Sequence, residues 1–146
     1  MEILSCAFEH GGKIPDRHTC KGENTNPTLS FEDIPEGAET LALIMDDPDA
    51  PMGTCVHWII WNIKPEDGLK VEEGVIPAGA IQGRNSSGML GYSGPCPPYG
   101  THRYYFKLYA LSKKLKLKEG ASKEELLEAM EGHIIEKATL IGLYSK

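Results

Sequence analysis

The sequence predicts a mainly β domain. It has 146 residues, with 16 glycines and 10 prolines, and this share of about 18% exceeds the average of roughly 12% for these two residue types. The excess indicates many turns, which suit short strands better than a helical bundle. Apolar and β-branched runs at 40–45, 56–63 and 102–111 supply the strands. At roughly 100–200 residues per domain, we expect one domain over residues 1–146.

A long loop and three strands are expected in the first half of the chain. Residues 9–27 are rich in Gly, Asn, Pro and His and predict an ordered loop, followed by a short strand at 28–31. Residues 40–45 are almost continuously apolar, as in a strand buried on both faces. Prolines and aspartates at 46–53 end that strand, and the aromatic run at 56–63 forms the next one.

The second half opens with a loop and continues into the clearest strand. Residues 64–100 are rich in glycine and proline and are expected to be mostly loop. Along 102–111, bulky side chains alternate between two faces at the strand period of two residues. Lysines alternate with leucines at 113–118, which favours an edge strand protected by lysines over a nucleic-acid-binding patch.

One helix is expected near the C-terminus. Ser122 and Glu125 form a capping-box pattern, leucines follow at helical spacing, and Gly132 marks the end. Residues 134–144 are compatible with a helix or a strand, and their position after a glycine favours a closing strand. The expected architecture is therefore a β domain with one or two helices.

Charge and hydropathy disfavour several functional classes. The formal net charge of -6 argues against a general nucleic-acid binder, which needs a basic surface. The strongest apolar run, 56–63, is too short for a transmembrane segment, which needs about 20 residues. Because the N-terminus has no signal-peptide pattern, we expect a cytoplasmic protein.

The cysteines carry no motif. Cys6, Cys20, Cys55 and Cys96 lie far apart, with no C-x-x-C pair. We interpret them as free buried thiols, with one disulfide as the alternative, since intracellular disulfides occur in hyperthermophiles. The spacing of the histidines gives no metal signature, and no motif indicates a cofactor.

Candidate functional residues lie near the ends of the predicted strands. Asp47 and Asp49 follow a buried strand, although aspartate before proline is also common in plain turns. His57 lies in an apolar strand, where a structural histidine is the competing interpretation. His102 and Tyr104 share one face of their strand. If these faces meet, a carboxylate, two imidazoles and a phenol offer several hydrogen-bond donors to a small anion.

Two longer motifs resemble the phosphatidylethanolamine-binding protein family, also called the Raf kinase inhibitor protein family. Asp47-Pro-Asp-Ala-Pro51, followed by His57 in an aromatic strand, is similar to its first signature. Residues 94–104, Gly-Pro-Cys-Pro-Pro-Tyr-Gly-Thr-His-Arg-Tyr, are similar to its second. Residues 12–15, 18–24 and the C-terminal glycines resemble the prokaryotic branch, so the resemblance covers nearly the whole chain.

The resemblance implies two antiparallel sheets in a Greek-key-like sandwich with a few peripheral helices. It also implies a pocket near one end of the sandwich that accepts phosphate-like groups, including phospholipid head groups. Carried over, its members are Asp47, Asp49, His57, Pro97, His102 and Tyr104. Vertebrate members have a tryptophan at the position of Cys55, so the pocket wall is expected to differ. Prokaryotic members are often homodimers, and the resemblance implies the same here.

Three functions stay open. The first, which we favour, is a non-catalytic binding module for a small phosphate-bearing or head-group-like anion. The second is an inhibitor or regulator of a serine protease or a protein kinase. The third is a hydrolase that uses the Asp and His side chains as acid and base. If an anion bridges His57 and His102, its affinity should fall as the pH rises past about 6.5.

Overall fold

Two antiparallel sheets and one α-helix make up the fold in a computed structural model that describes residues 1–146. The strands are β1 (Glu2–Leu4), β2 (Leu29–Glu32), β3 (Thr40–Asp47), β4 (Cys55–Ile63), β5 (Leu69–Val71), β6 (Ile81–Gln82), β7 (Thr101–Leu111) and β8 (Ile134–Ser145), and the α-helix is α1 (Lys123–Met130). The smaller sheet has the strand order β1-β2-β5 and the larger one β6-β4-β3-β7-β8. A 3-10 helix at Asp16–His18 interrupts the first long loop. The predicted mainly β fold is confirmed.

The main hydrophobic core fills the space between the two sheets. Leu43 and Met45 of β3 point into it, together with Phe106 of β7 and Phe31 of β2. All four side chains are fully buried. Burial of their apolar surface contributes roughly 25 cal/mol per Å² to folding.

A second core lies on the other face of the larger sheet, beneath α1. Ile44 of β3 and Trp61 of β4 pack there with Leu126 and Met130 of the helix. β3 is therefore buried on both faces along its whole length, which explains its continuous apolar run and confirms the expectation for residues 40–45.

The C-terminal third follows the local signals closely. Ser122 Oγ accepts the Glu125 backbone N–H at 3.1 Å, and Glu125 Oε1 accepts the Ser122 N–H at 3.0 Å, so the capping box starts α1. Gly132, at a φ of 80°, follows the helix end. Residues from 134 onward then form the closing strand β8, as expected. With eight residues, α1 is too short to cross a bilayer, and no other helix is long enough.

The lysine-rich segment 113–118 is not an edge strand, so that expectation is wrong. Its backbone groups are bound by side chains of β4 instead of a neighbouring strand. The Asn62 side chain pairs with both the N–H and the carbonyl of Leu115 at 2.9 Å. The indole N–H of Trp61 donates to the Leu117 carbonyl at 3.2 Å. The segment thus crosses the helix-covered face of the sheet.

The cysteines also differ from the expectation of four free buried thiols. Cys20 and Cys96, which are 76 residues apart, form a disulfide. Cys6 and Cys55 are free, and Cys6 is exposed. The disulfide joins two long loops that also share a hydrogen bond from the Cys20 N–H to the Pro95 carbonyl at 3.1 Å. Such a tertiary contact leaves no trace in the cysteine spacing.

Candidate functional site

The candidate site is a cavity of about 470 Å³ at the end of the larger sheet where β3 stops and β4 and β7 begin. The loop between β3 and β4 and the proline-rich segment before β7 complete its wall. Five of the six residues predicted for the pocket line this cavity, namely Asp47, His57, Pro97, His102 and Tyr104. Cys55 also lines it, as expected from its place in the motif.

Asp47 and His102 form a buried pair in the cavity wall. Asp47 Oδ2 lies 2.7 Å from His102 Nδ1, and Asp47 Oδ1 accepts the Asp49 backbone N–H at 2.8 Å. Because a carboxylate only accepts hydrogen bonds, His102 Nδ1 carries the hydrogen of this contact. The other ring nitrogen, Nε2, has no partner within the chain. Asp47 therefore fixes the orientation of the ring and leaves Nε2 for a ligand.

A β-bulge directs His57 to the same cavity. Trp58 pairs with Met45 and Val56 pairs with Asp46, so His57 is the extra residue between them. Counted from Ile59, which packs beneath α1, strict alternation would put His57 on the helix-covered face. The bulge instead turns His57 to the cavity side, as bulges beside functional sites often do.

The His57 ring is held by a backbone carbonyl. His57 Nδ1 lies 2.6 Å from the Ser93 carbonyl oxygen, and that contact requires a hydrogen on Nδ1. Burial lowers the pKa of the His57 imidazole below its usual value, against the opposing effects of the Ser93 carbonyl and of Asp47. The ring is thus mainly neutral near pH 7, with a free lone pair on Nε2.

Tyr104 lies between the two imidazoles. Its ring meets His57 edge-on, with centroids 5.2 Å apart, and stacks on His102 at 6.4 Å. Burial, with a further contribution from Asp47, raises the pKa of the Tyr104 phenol above its ordinary value, so it stays protonated. Its hydroxyl group has no hydrogen-bond partner within the chain. Three side-chain polar atoms without partners therefore belong to residues that line one cavity.

The proline-rich wall is fixed from behind by residues 18–24. The Cys20–Cys96 disulfide joins the two segments, and the Gly94 N–H donates to Asn24 Oδ1 at 2.8 Å. A Cβ atom on Gly94 would lie 2.1 Å from the His18 carbonyl oxygen, so only glycine fits there. The sequence pattern of residues 18–24 contributed to the family resemblance but did not reveal this supporting role.

Asp49 lies beside the cavity and is not part of its lining. The Arg103 guanidinium binds both of its carboxylate oxygens, at 2.9 and 2.8 Å, and the Arg103 backbone N–H donates to the same group. These contacts hold the pKa of Asp49 at about 2, well below its usual value. The pair fastens the turn after β3 to the start of β7.

The cavity lining contains no lysine and no arginine. Nor do the side chains gather three His, Cys, Asp or Glu residues in a geometry that could hold a metal ion. Any positive side-chain charge offered to a ligand must therefore come from His57 or His102.

Known proteins match the whole of this fold. The family model described as phosphatidylethanolamine-binding protein matches residues 4–145. The chain belongs to the phosphatidylethanolamine-binding protein family. Within it, the chain is 54% identical over 151 residues to a UPF0098 protein of Methanothermobacter thermautotrophicus, covering 100% of this chain and 99% of the relative.

Two crystal structures of the phosphatidylethanolamine-binding protein family share the fold. A protein of Chlamydia trachomatis, described as a homologue of phosphatidylethanolamine-binding protein, superposes with a TM-score of 0.94 at 45% identity, covering 99% of this chain and 97% of that one. YbcL of E. coli, described as a member of the mammalian family, gives 0.91 at 29% identity, with coverage of 99% and 98%. The predicted family is therefore confirmed.

Proposed function

We propose that the chain binds a small phosphate-bearing anion in the cavity between β3, β4 and β7. One observation carries the proposal. His57 Nε2, His102 Nε2 and the Tyr104 hydroxyl all lack partners within the chain, and their residues line the same cavity. A cavity whose wall gathers three polar atoms without partners is suited to a polar ligand. The family name, which refers to a phosphorylated head group, points to the same ligand chemistry.

Each group has a definite role in this proposal. The Tyr104 hydroxyl donates a hydrogen bond to an anionic oxygen of the ligand. His102 presents Nε2 to the ligand, because Asp47, at 2.7 Å, holds the other ring nitrogen. Pro97 is buried and shapes the wall. Asp49 acts indirectly, by holding the neighbouring turn through Arg103.

The alternative functions have weaker support. A serine hydrolase would need a hydroxyl nucleophile on the Asp47–His102 pair, and neither Ser86 nor Ser93 hydrogen-bonds to the His102 ring. A regulator of a protease or kinase would need a partner surface. Met52, on the cavity wall, is the most exposed large apolar side chain at 98%, and Met89 and Tyr99 follow at 66% each. A homodimer stays a prediction from the sequence resemblance.

Titration with inorganic phosphate, followed through the ring nitrogens by NMR and by calorimetry, tests the proposal. We expect shifts at His57 and His102 and a measurable Kd that His57→Ala weakens. His133→Ala is the matched control, because His133 lies at the opposite end of β7 and β8 from the cavity. Affinity should fall with rising pH, by up to about tenfold per pH unit for each proton taken up. No response of either ring at millimolar phosphate would refute the proposal.

A further inference from the structure

The class of ligand depends on whether His57 Nε2 donates or accepts a hydrogen bond. The Ser93 carbonyl, 2.6 Å from Nδ1, can only accept a hydrogen bond. The single hydrogen of the neutral ring is therefore held on Nδ1, and Nε2 presents a lone pair. His57 is therefore an acceptor beside the Tyr104 hydroxyl, which can donate to an anion.

The surroundings of His57 keep its ring neutral near pH 7. Asp46 and Asp47 of β3 are the nearby charged groups, and Tyr104 of β7 packs edge-on against the ring. Cys55, two residues earlier in β4, lines the same cavity, and burial raises the pKa of its thiol. The two carboxylates favour the charged imidazole, but burial outweighs them and lowers the pKa of His57. No lysine or arginine lines the cavity.

We propose, on the basis of the anion-binding function above, that the cavity selects phosphate groups that still carry a P–OH hydrogen. In this arrangement the P–OH group donates to His57 Nε2, while an anionic oxygen accepts from the Tyr104 hydroxyl. Phosphate monoesters and inorganic phosphate satisfy both contacts in their monoanionic form. A phosphodiester and a sulfate carry no such hydrogen at neutral pH, so an anionic oxygen would face the His57 lone pair.

The discrimination is large enough to measure. A buried acceptor left without a donor costs about 1–3 kcal/mol, which corresponds to roughly fivefold to 150-fold in affinity. The second pKa of a phosphate monoester is about 6, so the monoanion is well populated only in mildly acidic solution. The selected ligands are thus monoesters, in solution or as the head group of phosphatidic acid. The diester head group of phosphatidylethanolamine is disfavoured.

Matched pairs of probes, compared at about pH 6 and constant ionic strength, test the selection of P–OH groups. Phosphoethanolamine and glycerophosphoethanolamine share a head group, but only the first has a P–OH hydrogen. We expect the diester to bind at least about tenfold more weakly, and sulfate more weakly than phosphate by a similar factor. Equal affinities, or tighter binding of the diester, would overturn the selection and leave anion binding intact. Absence of binding by all four probes would overturn the proposed function as well.

Vesicles separate a lipid source from a soluble one. Preferential flotation with vesicles that contain phosphatidic acid supports a monoester lipid, and binding of phosphoethanolamine without flotation supports a soluble monoester. Preference for vesicles that contain phosphatidylethanolamine overturns the selection.

The variant His57→Gln tests the residue responsible. A carboxamide can turn its NH₂ group toward an anionic oxygen, so the ratio of monoester to diester affinity should fall to near one. His133→Gln, remote from the cavity, should keep the ratio of the unaltered protein. Nitrogen NMR of the unaltered protein gives an independent check, because we expect the His57 hydrogen on Nδ1. A hydrogen found on Nε2 near pH 7 would overturn the proposal whatever the variants do.

Discussion

Asp46 and Asp47 are consecutive residues of β3 that serve opposite faces of the larger sheet. Both are buried, at 1% and 3% exposure. Asp46 points beneath α1, where Oδ2 accepts from Lys107 Nζ at 3.1 Å and from Lys123 Nζ at 2.7 Å. Asp47 points to the cavity and pairs with His102. The same side chain at the same depth therefore fastens a helix on one face and orients a titratable ring on the other.

The difference lies in the partners. A lysine ammonium group offers only hydrogen-bond donors, so the Asp46 cluster can only hold β7 and α1 against β3. An imidazole has a second nitrogen that remains available, so the Asp47 pair can also serve a ligand. The two faces of the sheet are also supported differently. A disulfide and hydrogen bonds from a distant loop hold the cavity wall, whereas hydrophobic packing against α1 covers the other face.

The largest expected effect comes from removing the disulfide that supports the cavity wall. Cys20→Ser with Cys96→Ser should lower the free energy of unfolding by about 4 kcal/mol, because the disulfide closes a loop of 76 residues. Phosphate affinity should fall as well, since the freed wall carries the Ser93 carbonyl that orients His57. Urea denaturation and phosphate titration measure the two effects. The control Cys6→Ser, at an exposed free thiol, should change neither stability nor phosphate affinity. Unchanged affinity in the double variant would show that the hydrogen bonds alone hold the cavity wall in place.

A smaller effect is expected on the helix side. Asp46→Asn leaves the partly buried Lys107 and Lys123 without their counter-charge, and should cost about 3 kcal/mol in the free energy of unfolding. Phosphate affinity should change little, because the Asp46 carboxylate faces away from the cavity and acts on His57 only through its charge.

Asp47→Asn is the matched variant on the other face. It should destabilise the fold by only about 1 kcal/mol, yet weaken phosphate binding through His102. If the two variants affected stability and affinity alike, the division between the two faces would be wrong.

Local patterns predicted the elements that depend on local physics. The capping box of Ser122 and Glu125 determines the start of α1, and its hydrogen bonds span three residues. The alternation of side chains predicted which residues share a face of β7. The unbroken apolar run predicted that β3 is buried on both faces. These signals need only a strand or helix period and a nearby partner, so one sequence suffices to recognise them.

Features that depend on register or on distant contacts could not be derived in this way. The direction of His57 depends on a bulge opposite Met45 and Asp46, and regular alternation gives the opposite face. The segment 113–118 does not form the predicted strand, because the side chain of Asn62, far away in the sequence, binds its backbone. For the pocket itself, the motif resemblance named five lining residues, whereas the supports at Asn24 and Ser93 emerged only from the fold.

The smallest expected effect concerns Asp49, at the edge of the cavity. Asp49→Asn removes the ion pair with Arg103, and should cost about 1 kcal/mol near neutral pH because the pair is partly exposed. The folded protein holds the pKa of Asp49 at about 2, against 3.8 ordinarily, so the unfolded chain takes up the proton first as the pH falls. The stabilisation is therefore complete above about pH 4 and disappears toward about pH 2. Urea denaturation across that range should show the unaltered protein and Asp49→Asn converging in acid. A difference that persisted at pH 2 would mean that Asp49 stabilises the turn by its shape and not by its charge.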